Sequence, residues 1–441
     1  MRKIEVVKIV GSFSALFTAV LVFLTGNGLL NTLLSTRLAM EGYSMAVTGV
    51  VLSCYFAGLL AGSTVCHRPI QRIGHIRAFT IFAAGTTATT LLHGLWVAPA
   101  AWGILRFLCG MTTFGMFMVI ESWLNECTES RYRGRIFSVY IALSYLGIGI
   151  GQQLLNVGDV GSNSLFIVAG VIFALCLVPV SATEGIHPQL PERKKIQFRR
   201  VFRTSPIGML GSMAAGLTNS AFFAMMPAVC TSIGMSHSQL AWIMSPTVFS
   251  GLTAQWVVGA VSDRFDRTIV LVVIAATIAV VSGWIFIGQV TTYRLLAVKM
   301  GLLGALVFAV YPVSVARAHD VFDGKDTVAV SGCLLFAYSV GACVSPLLAS
   351  GLMTLLKSPF GLFAFWFLVN ASLALVTLYL LKREKVEVVA VEDQVAFVPM
   401  KRSSPVVMAM DPRNETPGDI RSIPKTDANF PRPAANAGQE R

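Results

Sequence analysis

Twelve stretches of this chain stay apolar for about twenty residues each, at roughly 9–33, 45–66, 78–97, 102–124, 136–157, 164–183, 207–230, 239–260, 268–290, 293–315, 327–352 and 359–381. About twenty apolar residues in helical form cross the ~30 Å hydrocarbon core of a bilayer. Lipid offers the backbone no hydrogen-bond partner, and segments this long satisfy themselves as helices rather than barrel strands. The expected fold class is an all-α polytopic membrane protein with 12 transmembrane helices. Composition fits: 55% of residues are hydrophobic and 13% charged, where a soluble domain carries about a quarter charged.

The opening MRKIEVVK and its apolar run resemble a signal peptide. The run is too long, contains Asn27 and Asn31, and offers no small-residue cleavage site, so an uncleaved first helix is expected. The net charge of +12 is a topology signal. Nineteen Lys and Arg fall at the N-terminus and in alternate loops, among them Arg68, Arg72, Arg77, Arg135, Arg200, Arg264, Arg267 and Arg317. Only Arg37, Arg294 and Lys357 fall in the opposite loops. The positive-inside rule then puts both termini in the cytoplasm, and nothing reads as nucleic-acid binding. The eight cysteines form no C-x-x-C pair and no cluster with histidine, so no metal site and no cofactor are expected.

The longest polar break, residues 184–206, divides six spans from six. The expected organisation is a first six-helix bundle over 1–183, a cytoplasmic central loop over 184–206, a second bundle over 207–381 and a tail over 382–441. Seven prolines follow Val398 among small polar residues, a composition expected to be disordered and cytoplasmic. The halves repeat. Asn27 answers Asn219, EGYSM (41–45) answers IGMSH (233–237), and Arg72 answers Arg264, all 192 residues apart. Arg106 meets Lys299, and SYLGIGIGQQLL (144–155) meets AYSVGACVSPLL (337–348), at 193. One nearly constant offset through successive helices marks a duplicated unit.

Between the eighth and ninth spans stands SDRFDR (262–267), preceded by Gly259. The pattern G-x-x-x-D-R-x-D-R resembles the loop signature of the major facilitator superfamily, and HRPIQRIGHIR (67–77) holds the matching place in the first half. QRIGHIR, ESWLNECTESRYRGR (121–135) and YLGIGIGQ (145–152) look most like the YcaD-type branch of bacterial members. The resemblance covers about residues 9–381 and implies two six-helix bundles related by a pseudo-two-fold axis, in a bacterial inner membrane. There are departures. His67 and Gln71 replace the first-half glycine and aspartate, and Asp266 stands where the second-half glycine is usual.

The resemblance assigns gating to Arg72, Arg77, Glu121, Gly259, Asp263, Arg264 and Arg267. It implies that Asp263 caps the cytoplasmic start of helix 5 near Arg135, while Arg264 and Arg267 tie down the loop or face lipid phosphates; the alternative is that the charges only set topology. Glu121, near the end of helix 4, is expected to pair with Arg72 or Arg77, with proton carriage as its other reading.

Ionisable and amide groups inside spans are costly and point to function. Candidate solute-binding residues are Asn27, Asn31, Arg106, Gln152, Asn219 and Lys299. Arg106 and Lys299 either face a central cavity or snorkel to the headgroups; RFLCG (106–110) resembles the family's helix-4 arginine motif, tied to proton coupling. Tyr55, Tyr145, Phe222, Phe223, Met225 and Met226 offer an adaptable apolar wall or plain packing. Gly147 and Gly151 form G-x-x-x-G for helix packing; the proline that marks antiporters beside such a stretch is missing here and appears only as Pro346 in the second copy.

No nucleophile–base pair, HExxH or phosphate-binding loop occurs, so an enzyme is not expected. The expected function is secondary transport of a small organic solute by alternating access, proton-coupled, with export ahead of uptake. Expected partners are the solute, protons and the lipid bilayer, with the protein a monomer. Import of a metabolite, and a receptor or scaffold that kept the fold without transport, are the alternatives.

Overall fold

The computed structural model describes residues 13–126, 128, 132–181, 198–289, 292–322, 327–383, 397, 403 and 404. The start of the first apolar segment, most of the 184–206 connection and most of the tail lie outside the described residues. The long helices are α1 (Ser14–Met40), α2 (Met45–Val65), α3 (His75–Leu95), α4 (Pro99–Glu126), α5 (Arg133–Gln153) and α6 (Ser164–Ser181). They continue as α7 (Pro206–Ser232), α8 (His237–Ser262), α9 (Arg267–Gly288), α10 (Tyr293–His319), α11 (Thr327–Leu355) and α12 (Gly361–Arg383). Short helices at His67–Ile73 and Phe198–Thr204 lie in connections.

Ten of these helices are long and apolar enough to cross a membrane. The other two, α3 and α8, are of spanning length but carry more polar side chains. In α3 the hydroxyls of Thr86, Thr87, Thr89 and Thr90 return to carbonyls of their own helix. Their polarity is thus spent inside the rod, which lowers its cost in lipid.

The first helix runs seven residues past its expected end. The polar run Ser35–Thr36–Arg37 does not stop it, because every member finds an internal partner. Ser35 Oγ donates to Ala224 O at 2.6 Å and Thr36 to Thr32 O. Arg37 donates to Val160 O at 2.6 Å and pairs with Glu41 at 2.7 Å. The turn comes instead at Gly42, where φ is +77°, a left-handed geometry that favours glycine. Ser44 then caps α2 by accepting from Val47 N. At the repeat offset Gly234 has φ +79° and Ser236 caps α8, accepting from Gln239 N. The duplicated pattern therefore builds the same turn twice.

Each half uses the same close pairs. A Cβ at Gly28 would lie 2.5 Å from Ile148 O, and one at Gly151 would be driven into Thr25 O, so α1 and α5 touch backbone to backbone. Gly58 and Gly110 do the same for α2 and α4. Gly216 and Gly341 hold α7 against α11, where Ser345 donates to Leu217 O. Gly304 brings α10 onto Thr247 of α8. Small residues permit this approach; at Gly147, the partner of Gly151 in the G-x-x-x-G pair, a Cβ would lie 2.8 Å from Leu21 O of α1. Gly151→Ala is expected to destabilise the protein by about 1–3 kcal/mol through overpacking, read as a lower melting temperature in detergent. Gly351→Ala is the matched control, since a Cβ there meets nothing within 4 Å.

With twelve helices, α1 begins and α12 ends on one face, here called the terminal face. The halves meet along α1–α7, α2–α11 and α5–α8. Among the described residues, the hydrogen bonds across this seam lie mostly toward the opposite face. Gln153 donates to Ala241 O and Ser245 Oγ, both at 3.1 Å, and Ser245 donates to Gly149 O at 2.8 Å. Deeper in, Gln255 donates to Tyr145 OH at 2.7 Å.

Candidate functional site

Three of the expected binding residues meet in one cluster. Asn27 and Asn31 share a face of α1, and Asn31 Nδ2 donates to Asn27 Oδ1 at 2.6 Å. Asn27 Nδ2 in turn donates to Tyr55 OH on α2 at 3.2 Å. From α4, Arg106 Nη2 donates to Asn31 Oδ1 at 2.6 Å, and its guanidinium carbon lies 4.1 Å from the centre of the Tyr55 ring. The glycine one turn after the arginine explains the R-x-x-x-G spacing. Because Gly110 has no side chain, α2 presses in until Tyr55 O is nearly in contact with it. That approach slides the Tyr55 ring beneath the guanidinium, a cation–π contact.

Arg106 is only 2% exposed, yet its Nε and Nη1 have no hydrogen-bond partner among the described residues. Buried polar groups are nearly always paired, and a buried charge without full pairing is expensive. One edge of the guanidinium is fixed by asparagine and the ring face by tyrosine. The remaining N–H groups form a ready-made grip for an oxygen-rich or anionic group.

The other expected residues are placed elsewhere. Gln152 is buried with both amide atoms unpartnered among the described residues. Its neighbour Gln153 is the one that bridges the halves. Asn219 spends its Nδ2 on Ala215 O at 2.7 Å and keeps a buried Oδ1 without a partner. Lys299 does not join Arg106: its ammonium sits 3.5 Å from the ring centre of Trp284 on α9, itself 61% exposed. Tyr55, read from sequence only as apolar wall, proves to be a polar anchor. Its spacing from Gly58 and Gly62, a face of α2 made for close approach, was the available signal.

At the terminal face the charged loop folds differently from the expectation. Arg267 is buried and lies between two acids, 2.9 Å from Asp263 and 2.5 Å from Asp320 at the end of α10, with Ala316 O also accepting at 3.3 Å. It thus ties the loop to α10 rather than facing lipid phosphate. Arg264 is exposed. Asp263 does not cap α5. It holds Arg267 and accepts the backbone N–H of Phe397 at 2.9 Å. Asp266, where the resembling signature has glycine, caps α9 by accepting from Thr268 N at 2.6 Å and Ile269 N at 3.3 Å. Asp266→Ala is expected to cost about 1 kcal/mol for the lost cap, seen as a modest fall in melting temperature.

Glu121 is completely buried, whereas Arg72 and Arg77 are exposed, so the expected ion pair does not form. The carboxylate accepts instead from Tyr140 OH at 2.5 Å and from the hydroxyls of Ser403 and Ser404. In the tail, read as unstructured from composition, Phe397, Ser403 and Ser404 therefore have defined partners.

The sequence model of the Major Facilitator Superfamily matches residues 16–302 and 208–410. Among curated relatives, the uncharacterised MFS-type transporter YcaD of Shigella flexneri is 30% identical over 352 residues, covering 77% of this chain and 88% of that protein. The YcaD protein of Escherichia fergusonii is 29% identical over 350 residues with the same coverage. Among solved structures, the nucleoside transporter NupG superposes with TM-score 0.68 at 14% identity, over 84% of this chain and 99% of NupG. A D-xylose–proton symporter does so with TM-score 0.63 at 13% identity, over 87% and 99%. At such identities the likeness concerns the fold of two six-helix halves. Together with the family match, it makes the protein a multi-pass membrane transporter rather than an enzyme, and the chain belongs to the major facilitator superfamily, in its YcaD-type branch.

Proposed function

We propose that this secondary transporter carries a small organic solute bearing an oxyanion or an oxygen-rich polar group, gripped by Arg106. The carrying observation is the guanidinium itself: fully buried, fixed by Asn31 and Tyr55, and left with two unpartnered nitrogens among the described residues. Asn27 and Asn31 orient that grip. Gln152 and Asn219, with buried amide atoms of their own to satisfy, complete the solute's polar contacts as the halves close on it.

The coupling ion in this reading is the proton, with export as the direction. A carboxyl buried within a helical bundle beside the hydroxyls of Tyr140, Ser403 and Ser404, as Glu121 is, is a group that can carry one proton, which suits that role. Charge asymmetry among the loops supports a cytoplasmic terminal face, and the working unit is a monomer in the bacterial inner membrane.

The test is a screen of organic acids, nucleosides, sugars and cationic dyes for thermal stabilisation of the purified protein, followed by flux of each hit into proteoliposomes. An anionic or oxygen-rich hit whose flux responds to an imposed pH gradient is the expected outcome. Flux only of cationic dyes would overturn the assignment of the arginine.

A further inference from the structure

Both carboxylates that sequence assigned to the gate are occupied by the chain's own tail. On the first half, Glu121 Oε1 accepts from Ser403 Oγ and Oε2 accepts from Ser404 Oγ. On the second half, Asp263 Oδ1 accepts the Phe397 N–H at 2.9 Å. The Phe397 ring lies over Gly259, where a Cβ would come within 2.6 Å of it. The serines are not surface adhesions: Ser404 is 0% and Ser403 9% exposed.

The placement is chemically specific at each end. A wholly buried carboxylate needs donors, and Ser403 and Ser404 supply two beside Tyr140. Asp263, partly exposed, accepts from the tail the kind of N–H group that the resemblance looked for at the start of α5. Gly259, the glycine of the loop signature, leaves the space that the Phe397 ring fills. Seven residues separate Phe397 from Ser404, a reach of at most ~25 Å, and fourteen separate Arg383 from Phe397, at most ~50 Å. Tethering at this range gives an effective concentration on the order of millimolar, so modest contacts hold the tail in place.

We propose that the tail, through Phe397, Ser403 and Ser404, is an intramolecular strap that joins α4 of one half to the α8–α9 loop of the other at the terminal face, and that it must leave before the halves can move there. Among the described residues the seam hydrogen bonds lie mostly toward the opposite face, and the strap adds a bridge at the terminal face. It is independent of which solute is carried. Its release is a built-in control: any negative charge placed on Ser403 or Ser404 would stand against Glu121 and expel the segment.

The experiment is hydrogen exchange of the full-length purified protein, compared with Phe397→Asp/Ser404→Asp. Both substitutions lie on the tail, outside the helical bundle, and an unchanged melting temperature of the bundle serves as control. In the unaltered protein the tail amides around Phe397 and Ser403–Ser404 are expected to exchange at least tenfold slower than in a free peptide of the same sequence. In the variant that protection disappears, and the terminal-face turns of α5 and α8 exchange at least tenfold faster. Tail amides exchanging at the free-peptide rate in the unaltered protein would show that no strap exists. Tail protection lost with no change in α5 and α8 would show a docked tail that does not restrain the halves, and would overturn the control.

Discussion

Arg106→Ala is expected to weaken solute binding at least about tenfold while leaving the protein folded. The guanidinium contributes little to cohesion, because two of its nitrogens have no hydrogen-bond partner among the described residues and its burial is a cost. A structural arginine would behave oppositely, its loss lowering the melting temperature. A hydrogen bond to a charged group contributes roughly 1.5–3 kcal/mol, and 1.4 kcal/mol is about tenfold in affinity. Losing one or two such bonds weakens binding by about ten- to more than a hundredfold. At a hundredfold excess over Kd a ligand stabilises the folded state by about 2.7 kcal/mol, so the thermal shift seen with the native protein should fall to about half or less in the variant. Arg106→Lys should fall nearer to alanine than to arginine, since a point charge cannot hold Asn31 and present two further N–H groups in one plane. A variant that keeps the ligand-induced shift would remove Arg106 from the site.

Arg267→Ala is expected to destabilise the protein by about 3–5 kcal/mol, the usual effect of removing one partner of a buried pair. Arg267 is 1% exposed and the Asp320 side chain 4%. Without the guanidinium, buried Asp320 loses its 2.5 Å contact with Arg267 and Ala316 O loses a donor. Asp263 suffers less, because its side chain is 41% exposed and water can replace the contact. Thermal melting in detergent measures the difference. Asp263→Asn should therefore cost far less than Asp320→Asn, and equal losses would mean that Arg267 is held by the loop rather than by α10.

The helices and the repeat were legible because period and length carry them: apolar runs of spanning length, and one nearly constant offset between halves. The Arg106 cluster was legible in part. Asn27 and Asn31 are four apart on one helix and RFLCG announces its arginine, but the spacing of α2 against α4 decides that Tyr55 lies beneath the guanidinium. Lys299 shows the limit of the repeat. It occupies the position equivalent to Arg106, yet its long stem reaches the Trp284 ring, since a flexible ammonium goes wherever an aromatic face is offered. The partners of Glu121 and Asp263 were not legible at all. Neither local pattern nor charge count indicates that a proline-rich tail returns 282 residues later in sequence to place a serine on Glu121.

Backbone-to-backbone approach within each half has a mechanical consequence. Where the nearest atoms are a glycine Cα and a carbonyl oxygen, as in α1–α5, α2–α4 and α7–α11, no rotamer can turn to absorb strain, and the pair is stiff. Several contacts across the seam among the described residues run through side chains with freedom about χ: Ser35, Tyr145, Gln153, Phe249 and Gln255. Gly49, whose Cβ would lie 2.6 Å from Pro346 O, sets a rigid point on the seam near the opposite face. The protein is built as two stiff levers on a compliant joint with a fixed fulcrum. Work done at one end of the seam is therefore delivered to the other as rotation, with little lost to bending of the helices.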